Sequence, residues 1–349
     1  MKQLTQVLEP LEPLEGSLSA HVIRELPVLV IFPHSRCNCR CFMCDIWKIR
    51  EVREITPSDL APHLASFRAL KVRRIVFSGG EPLLHSDLAS LGHLCRGEGI
   101  RLTLLTAGLL LERHAPAVAS SMDDVIVSLD GPPEIHDEIR GVKSAQARVA
   151  RGIRALRELR PGILVHGRCT VQKRNFRELR STVRSAQGLG LNSFSFLAAD
   201  VTSDAFNRPG GWTKEQQVGV ALNATEVEEL EREINALISE CQEEIESGYI
   251  RENPEKLRRI VDHFRAHLGQ RPAVAPRCNA PWVSAVIESD GAVRPCFFHR
   301  PIGNIQNGPL VSILNSAAAL DFRHTLDVAR NRICQKCVCS LFLNEQRKG

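Results

Sequence analysis

The chain has 349 residues, with 45 Lys and Arg against 40 Asp and Glu and a hydrophobic fraction of 43%. These values exclude a small disulfide-stapled scaffold, a collagen-like chain and a disordered chain, and they predict one large barrel or about two domains. The net charge of +5 is spread along the whole chain, which does not favour nucleic acid as a partner.

The beginning of the chain lacks the pattern of an export signal. The longest apolar run near the start covers residues 28–32, far short of the roughly 20 residues that cross a bilayer, and glutamates and prolines precede it. We therefore expect a cytoplasmic protein with no membrane partner. Because thiols stay reduced in the cytoplasm, the twelve cysteines are expected to bind metal or carry out redox chemistry rather than form disulfides.

Six short β-branched segments alternate with helix-period segments from residue 28 to about residue 200. The predicted strands cover 28–32, 74–77, 102–105, 125–129, 163–171 and 193–197, and a helix is predicted over 145–159. Parallel strands need crossover helices, so this alternation predicts an α/β fold, either a doubly wound sheet or a partial (β/α)6 barrel. In both folds the active site lies at the carboxyl ends of the strands.

After residue 200 the pattern becomes helical. A long acidic, solvated amphipathic helix is predicted to begin near Thr225, with Glu228 completing a capping box, and a second helix begins at Asn253-Pro254. We therefore divide the chain into an N-terminal extension over 1–27, a barrel over 28–200, a helical linker over 201–274 and a small Cys-rich hairpin and helix domain over 275–349.

Three cysteines directly after the first predicted strand, Cys37, Cys41 and Cys44, form a C-x3-C-x2-C pattern. Three thiolates on one loop can hold three irons of a four-iron cluster and leave the fourth iron a free position for a substrate or cofactor. The alternative is a structural zinc loop with Cys39 as the fourth ligand.

Further candidate ligand groups follow the second and fourth predicted strands. The glycines of Gly79-Gly80-Glu81-Pro82 let a ligand approach the backbone, and Glu81 can accept a hydrogen bond from an ammonium group. Ser128 and Asp130 stand where a ribose could be held, although each alone is more often a turn or cap residue.

In this order and at these strand ends, the three cysteines, Gly79-Gly80-Glu81-Pro82 and Ser128-Leu129-Asp130-Gly131 resemble the radical SAM superfamily. The resemblance implies a partial six-unit barrel whose open iron binds S-adenosylmethionine (SAM). It also implies that the reduced cluster cleaves SAM to methionine and a 5'-deoxyadenosyl radical, which abstracts hydrogen from a substrate.

The resemblance also implies which residues contact SAM. Gly79, Gly80 and Glu81 would meet the methionine end of SAM, Ser128 and Asp130 the ribose or carboxylate region, and Met43, Phe196 and Leu197 the adenine. Arg168 could pair with the SAM carboxylate or have a surface or ion-pair role instead. The chain departs from the family at Thr106-Ala107-Gly108, where many members have asparagine in the middle position.

A second group of cysteines lies near the C-terminus. The Asp290-Gly291 turn predicts a hairpin that brings Cys278 and Cys296 to one end, and Cys334 and Cys337 supply two further thiolates. Spacing alone also suits a zinc ribbon. The pattern resembles the SPASM/twitch extension of radical SAM enzymes, which implies one auxiliary 4Fe-4S cluster, with Cys339 competing for the last ligand position.

Of the remaining cysteines, Cys95 and Cys241 are predicted core residues on helices. Cys169 is predicted either to pack in the core or to face the barrel lumen and return a hydrogen atom to a substrate radical. The residues considered as catalytic acid or base are Asp200, His34, Arg168 and His299.

We therefore expect a radical SAM enzyme with two 4Fe-4S clusters. Its substrate would be a small molecule that it oxidises or a separately presented peptide, and its electrons would come from a flavodoxin or ferredoxin. The alternative from another class is a non-enzymatic zinc or iron-sulfur protein with a structural or electron-transfer role.

Overall fold

The computed structural model of the chain describes residues 18–343. Its strands are β1 Val28–Ile31, β2 Arg74–Phe77, β3 Arg101–Thr106, β4 Asp124–Ser128, β5 Leu164–Val171, β6 Ser193–Ala198, β7 Ser284–Ile287, β8 Ala292–Arg294 and β9 Gly303–Asn304. The first six coincide with the six predicted strands to within one residue at each end.

The helices connect these strands and follow the barrel. They are α1 Pro57–Leu60, α2 Leu64–Ala69, α3 Leu88–Arg96, α4 Leu111–Ser121, α5 Pro133–Arg140, α6 Ala145–Leu159, α7 Leu179–Gly188, α8 Lys214–Val218, α9 Ala224–Glu240, α10 Gln242–Glu246, α11 Pro254–His267, α12 Ala280–Val283, α13 Leu310–Leu314, α14 Ala317–Thr325 and α15 Arg332–Gln335. Between residues 18 and 343, no helix has the length and apolarity needed to cross a membrane. All twelve cysteines lie in this range and none forms a disulfide.

Strands β1 to β6 are parallel and lie side by side in chain order. Because crossovers between parallel strands are right-handed, an unbroken order places every connecting helix on the same face of the sheet. A doubly wound sheet would instead reverse its strand order at one point. The order therefore confirms the partial (β/α)6 barrel, with the helices outside and a lumen on the other face.

Side chains alternate between the helix face and the lumen along each barrel strand. On β5, Val165 and Cys169 are buried in the main core, whereas His166 and Arg168 belong to the other face and stay accessible. Within that core Cys169 accepts a hydrogen bond from Asn175 Nδ2 at 3.5 Å. This position favours core packing for Cys169 over the hydrogen-donating role in the lumen.

The C-terminal hairpin continues the barrel sheet. β7 pairs in parallel with β1, with Val28 opposite Ser284, and β8 returns antiparallel to β7. At the expected Asp-Gly turn Gly291 has a φ of +81°, which glycine adopts without strain. The hairpin prediction is confirmed. All four residues of β7 are buried, so the strand needs a partner on both edges, and the barrel supplies one. The domain boundary at residue 275 stays a prediction.

Helix α9 begins two residues earlier than expected. Its cap is Asn223, whose side chain accepts from the Glu226 backbone N–H at 2.9 Å while the Glu226 carboxylate accepts from the Asn223 backbone N–H at 2.8 Å. The predicted box of Thr225 and Glu228 is therefore wrong. Asparagine caps a helix as well as threonine does, and a glutamate stands three residues after both candidates.

The acidic side of α9 is only partly solvated. Arg180 of α7 approaches Glu233 to 2.9 Å and Glu240 to 2.5 Å, and Glu233 is buried. Charge pairing therefore joins α9 to the outer helices of the barrel, while its apolar side packs into the core.

Candidate active site

The three-cysteine loop, Cys37 to Cys44, follows β1 at the carboxyl end of the barrel and packs against the loop after β2. The Glu81 backbone N–H donates to the Arg36 carbonyl at 2.8 Å. A Cβ added to Gly80 would lie 2.2 Å from that same carbonyl oxygen, so only glycine fits at this position. The fold thus brings the first two predicted motifs into direct contact.

Gly79 and Glu81 shape the loop after β2. Gly79 has a φ of +100°, and a Cβ there would lie 2.5 Å from a ring carbon of Phe32. The Glu81 carboxylate is fully buried and accepts hydrogen bonds from Thr106 Oγ1 at 2.7 Å and from the Ala107 backbone N–H at 2.8 Å. Burial raises the pKa of Glu81, against these hydrogen bonds. The carboxylate thus ties β2 to β3, and its contact with a SAM ammonium group stays a prediction.

The two polar residues after β4 have different surroundings. Ser128 is half-buried, lies opposite Arg168 in the sheet register and faces the lumen. Asp130 is fully buried, accepts from the Thr170 backbone N–H at 2.9 Å and pairs with Arg140 Nη2 at 2.5 Å. Ser128 is therefore available to a ligand, whereas Asp130 is buried in its ion pair with Arg140 and its hydrogen bond from Thr170.

The predicted adenine contacts also differ in their placement. The Phe196 ring packs edge to face against Phe194 with 5.0 Å between centroids, on the helix side of β6. Leu197 alternates to the lumen side. A ligand in the lumen can therefore reach the Leu197 side chain but only the backbone of Phe196. Met43 is buried beside Cys41 in a second apolar cluster.

The thiols of the first loop ionise unequally. Hydrogen bonds with Cys37 and Cys41, together with burial, raise the pKa of Cys39. The hydrogen bond from Cys39 and the Arg140 guanidinium lower the pKa of Cys41 to about 7, against the effect of burial. Burial raises the pKa of Cys44 to about 12. Cys39 is thus hydrogen-bonded to both neighbouring thiols, and its role as a metal ligand stays a prediction.

A buried arginine from the segment after β6 closes over this loop. Arg208 donates to the Met43 carbonyl and lies 3.3 Å from Asp200 Oδ2, and both charged side chains are buried. Its guanidinium stacks 3.7 Å from the Trp212 ring centroid, and the Trp212 indole N–H donates to Asp45 Oδ2 at 2.7 Å. This clamp fixes the second half of the cysteine loop.

The C-terminal cysteines lie at one end of the hairpin. Cys278 precedes α12, Cys296 follows β8, and Cys334 is in α15. Burial raises the pKa of Cys296 to about 12 and that of Cys334 to about 11, with the Cys278 thiol adding to both shifts. These thiols are therefore electrostatic neighbours, as the predicted ligand set requires.

The last ligand position stays a prediction. The Cys337 thiol donates to the Cys339 carbonyl at 2.9 Å, and Cys339 is exposed. No three His, Cys, Asp or Glu side chains between residues 18 and 343 converge tightly enough for one metal ion. A four-iron cluster is bound by thiolates that ligate separate irons, so it needs a wider arrangement than a single ion does.

The acid and base candidates have specific partners. His34 Nε2 lies 3.6 Å from Glu54 Oε1, and His299 Nε2 lies 3.5 Å from Cys334 Sγ. Arg168 Nε donates to Ser195 Oγ at 3.3 Å. His299 is thus beside the second cysteine segment, and Arg168 remains in the lumen.

A cavity of about 800 Å³ opens between the two cysteine segments. Gly80 from the loop after β2 and Cys337 from the C-terminal segment both line it, together with Asp200 and His34. Its volume falls within the roughly 300 to 1,000 Å³ of small-molecule sites. The cavity therefore offers a substrate access to both segments at once.

Sequence reasoning missed several residues of this site. Arg140 and Arg208 carry the buried positive charge, and Phe206, Phe297 and Phe298 line the cavity. The Phe-Phe pair directly after Cys296 was the one available signal for the aromatic lining.

Comparisons with known proteins agree with this geometry. The profile of the radical SAM superfamily matches residues 31–186, and that of the SPASM iron-sulfur cluster-binding domain matches residues 278–338. Together these two profiles cover more than half of the chain.

Several curated proteins are similar to the chain. Fe-coproporphyrin III synthase of Methanosarcina barkeri is 27% identical over 334 residues, which is 89% of this chain and 80% of that protein. AdoMet-dependent heme synthase of the same organism is 30% identical over 159 residues, and pre-heme d1 synthase of Dinoroseobacter shibae is 30% identical over 172 residues. The chain spans less than half the length of these last two relatives.

Solved structures share the fold. Streptococcus suis SuiB bound to the precursor peptide SuiA aligns with a TM-score of 0.64 at 16% identity, over 93% of this chain and 74% of that one. The protein anSMEcpe with bound AdoMet aligns with a TM-score of 0.62 at 20% identity, over 89% and 86% of the two chains. These structures show the fold, and the two matching profiles show that the chain belongs to the radical SAM superfamily, as an enzyme of S-adenosylmethionine and 4Fe-4S clusters with a C-terminal SPASM domain.

Proposed function

We propose that this enzyme abstracts hydrogen from a side chain of a tetrapyrrole that carries carboxylate groups. The observation that supports this most directly is the lining of the 800 Å³ cavity, which combines aromatic rings with unpaired positive charge. A tetrapyrrole is a flat conjugated macrocycle, and its carboxylate side chains are anionic at neutral pH. Both properties have a counterpart in the cavity.

The aromatic counterpart is a cluster of four phenylalanines, Phe32, Phe206, Phe297 and Phe298. Phe297 is at its centre, with ring centroids 5.5 Å from Phe32, 4.9 Å from Phe206 and 5.3 Å from Phe298, all in edge contacts. All four rings are half-buried. Partly exposed rings of this kind offer faces and edges to a second aromatic system.

The charged counterpart is a set of three bases at the cavity wall, Arg300, Arg332 and Lys336. Three other arginines that line the cavity are neutralised, because Arg53 pairs with Glu51 and Asp290, Arg294 with Glu288, and Arg208 with Asp200.

Arg300, Arg332 and Lys336 also line the cavity, are exposed, and have no ion-pair partner within the described part of the chain. Arginine binds carboxylates through a rigid fork of donors and lysine through a point charge. Asp204 is the one acid of the lining without an ion pair in the described residues, so the three bases outnumber it and suit an anionic ligand.

The relatives point in the same direction. Fe-coproporphyrin III synthase carries a porphyrin in its name and matches this chain over 89% of its length. The heme and pre-heme d1 synthases, which match 44% and 48% of this chain, are also named for tetrapyrroles.

The chain's own residues would bind and orient the substrate. Arg300, Arg332 and Lys336 would hold its carboxylates, and the phenylalanine cluster would contact the ring and exclude water. The iron-sulfur cluster and SAM, when bound, supply the radical that abstracts hydrogen. The three-cysteine loop would hold that cluster, and Gly80, which lines both the loop and the cavity, lets SAM and substrate approach each other. A flavodoxin or ferredoxin is the proposed electron donor.

The test uses anaerobically reconstituted enzyme with dithionite and SAM. Fe-coproporphyrin III and the more carboxylated Fe-uroporphyrin III serve as probes, and an iron etioporphyrin, which lacks carboxylates, serves as the ligand control. We expect the carboxylated pigments to bind, as seen in their Soret band, and at least one to raise 5'-deoxyadenosine production and change in mass.

The matched variants test the carboxylate contacts. A triple Arg300→Gln, Arg332→Gln, Lys336→Gln variant should bind the carboxylated pigments at least tenfold more weakly and keep the substrate-free rate of SAM cleavage. Arg113→Gln, an exposed charge on α4, should change neither. Equal binding of the etioporphyrin, or deoxyadenosine production that responds to peptides and not to pigments, would refute the tetrapyrrole proposal.

A further inference from the structure

Arg140, at the C-terminal end of α5, places a buried positive charge against the three-cysteine loop. The residue is 8% exposed, and its Nη1 donates to Cys41 Sγ at 3.7 Å. A guanidinium stays protonated at every physiological pH. The loop that binds the first cluster therefore has a permanent cation beside one of its ligands.

Asp130 fixes the position of this guanidinium. Its Oδ2 lies 2.5 Å from Arg140 Nη2, and its Oδ1 accepts from the Thr170 backbone N–H at 2.9 Å. The Asp130 backbone N–H donates to His136 Nδ1 at 3.1 Å. Asp130 is fully buried, so neither partner of the ion pair can relax into solvent.

The cysteine loop is bonded to the same helix end. The Arg40 backbone N–H donates to the Arg140 carbonyl at 2.8 Å, and the Phe42 backbone N–H donates to the Ile139 carbonyl at 3.3 Å. Residue 141 is a glycine with a φ of +61°, and a Cβ there would lie 2.9 Å from the Arg40 carbonyl oxygen. Cys41 lies between the two bonded residues, so the backbone holds it beside the end of α5 from which the Arg140 side chain extends.

Arg140 also has a spare donor. Its Nε is buried and has no hydrogen-bond partner within residues 18–343. A buried N–H without an acceptor costs free energy, so an arrangement of this kind calls for an acceptor that the chain itself does not supply. A sulfide or thiolate of an iron-sulfur cluster on Cys41 is such an acceptor.

We propose that Arg140 raises the reduction potential of the iron-sulfur cluster held by Cys37, Cys41 and Cys44, and that Asp130 limits this effect. Reduction adds one negative charge to the cluster. A cation held beside it in a medium of low dielectric constant stabilises the reduced state, and the neighbouring carboxylate partly offsets that stabilisation. Arg140 is a positioning and tuning residue, and the proposal concerns no substrate.

The experiment is a potentiometric titration of the holoenzyme monitored by electron paramagnetic resonance. The signal of the first cluster is identified as the one lost in a Cys37/Cys41/Cys44→Ala variant. We expect Arg140→Met to lower its midpoint potential by at least 59 mV, a tenfold change in the one-electron equilibrium constant. Asp130→Asn should raise the midpoint, and Arg140→Lys, which keeps the charge, should stay nearer to the parent.

Arg323→Met is the matched control. Arg323 is also buried and donates to the His21 and Leu314 carbonyls, with no cysteine among its contacts in the described residues. Its replacement should leave the midpoint unchanged. Iron and sulfide counts accompany every variant. If Arg140→Met loses iron, the other two variants still decide, because the midpoint should rise in Asp130→Asn and stay near the parent in Arg140→Lys.

Shifts of Arg140→Met and Asp130→Asn in the same direction, or shifts no larger than that of Arg323→Met, would reduce the ion pair to a structural role. Because no substrate is present, this result is independent of whether tetrapyrroles are substrates.

Discussion

The two cysteine segments carry similar ligands in opposite electrostatic surroundings. At the three-cysteine loop a buried guanidinium contacts Cys41 and the pKa of that thiol is lowered to about 7. At the C-terminal segment burial raises the pKa of Cys296 to about 12, and within residues 18–343 no arginine or lysine donates to a thiol. The contrast is confined to Cys41, because burial raises the pKa of Cys44 in the same loop to about 12 as well.

The two segments also differ in the contacts that hold them in place. The barrel loop is held by the loop after β2, by the end of α5 and by the Arg208 clamp. The C-terminal segment depends on the hairpin that β1 anchors and on short helices. The loop that is predicted to hold the SAM-binding cluster therefore has contacts with more parts of the barrel than are described for the C-terminal segment.

The largest expected effect separates the two segments by their iron. Parent enzyme should hold about eight irons, and a Cys37/Cys41/Cys44→Ala variant about four, with no deoxyadenosine formed. A Cys278→Ala, Cys296→Ala variant should also hold about four irons but keep substrate-free SAM cleavage. Zinc in place of iron, or loss of all iron in both variants, would contradict this division.

The second effect concerns the clamp over the barrel loop. Arg208→Met leaves Asp200 buried without its cation, and breaking a buried pair costs about 3 kcal/mol or more. We expect a loss of that size in the free energy of unfolding measured in urea. Arg151→Met, which removes an exposed partner of Glu112, should cost less than about 1 kcal/mol. Equal losses of unfolding free energy in the two variants would show that the buried Arg208–Asp200 pair stabilises the fold no more than an exposed ion pair does.

The third prediction compares a glycine that contacts the three-cysteine loop with a glycine in the C-terminal hairpin. Gly80→Ala would place a Cβ 2.2 Å from a backbone oxygen beside the first cysteines and should weaken SAM binding at least tenfold. In Gly291→Ala the alanine has to adopt the left-handed conformation of this turn, which should cost about 1 to 2 kcal/mol in the free energy of unfolding. The occupancy of the auxiliary cluster alone should fall.

Gly188→Ala is the matched control for both, because its Cβ would meet nothing within 4 Å. Calorimetric SAM titration and iron counts report the results. If each variant affected both clusters, the two segments would not be independent.

The sequence was sufficient where the information is local. Runs such as Arg74–Phe77 alternate with helical periods, so strands and their order followed from neighbouring residues. The pairing of β7 with β1 did not, because it joins segments about 250 residues apart and nothing in either segment specifies the other.

The site shows the same limit. Cysteine spacing identified both segments, but Arg140 meets Cys41 from 99 residues away, and only the fold shows that contact. Nothing in the sequence indicated that Asp130 pairs with the buried Arg140, and the contact of Asp130 with SAM stays a prediction.

The smallest expected effect is the ionisation of a single thiol, that of Cys41. In the cluster-free protein under reducing conditions, Cys41 should be mostly thiol at pH 6 and mostly thiolate at pH 8, because its pKa is lowered to about 7. Cys296 and Cys334 should stay protonated over this range, with pKa values raised to about 12 and 11. Thiolate absorbance in the ultraviolet should therefore show one step near neutrality.

Replacing Cys39, which donates the hydrogen bond to Cys41, tests whether the absorbance step belongs to Cys41. Cys39→Ala removes the hydrogen bond that lowers the pKa of Cys41 most and should move the step to higher pH, whereas Cys95→Ala, at a buried helix thiol, should leave it in place. A step that survives in a Cys41→Ala variant would assign it to another thiol. The barrel segment would then no longer be the more electropositive of the two.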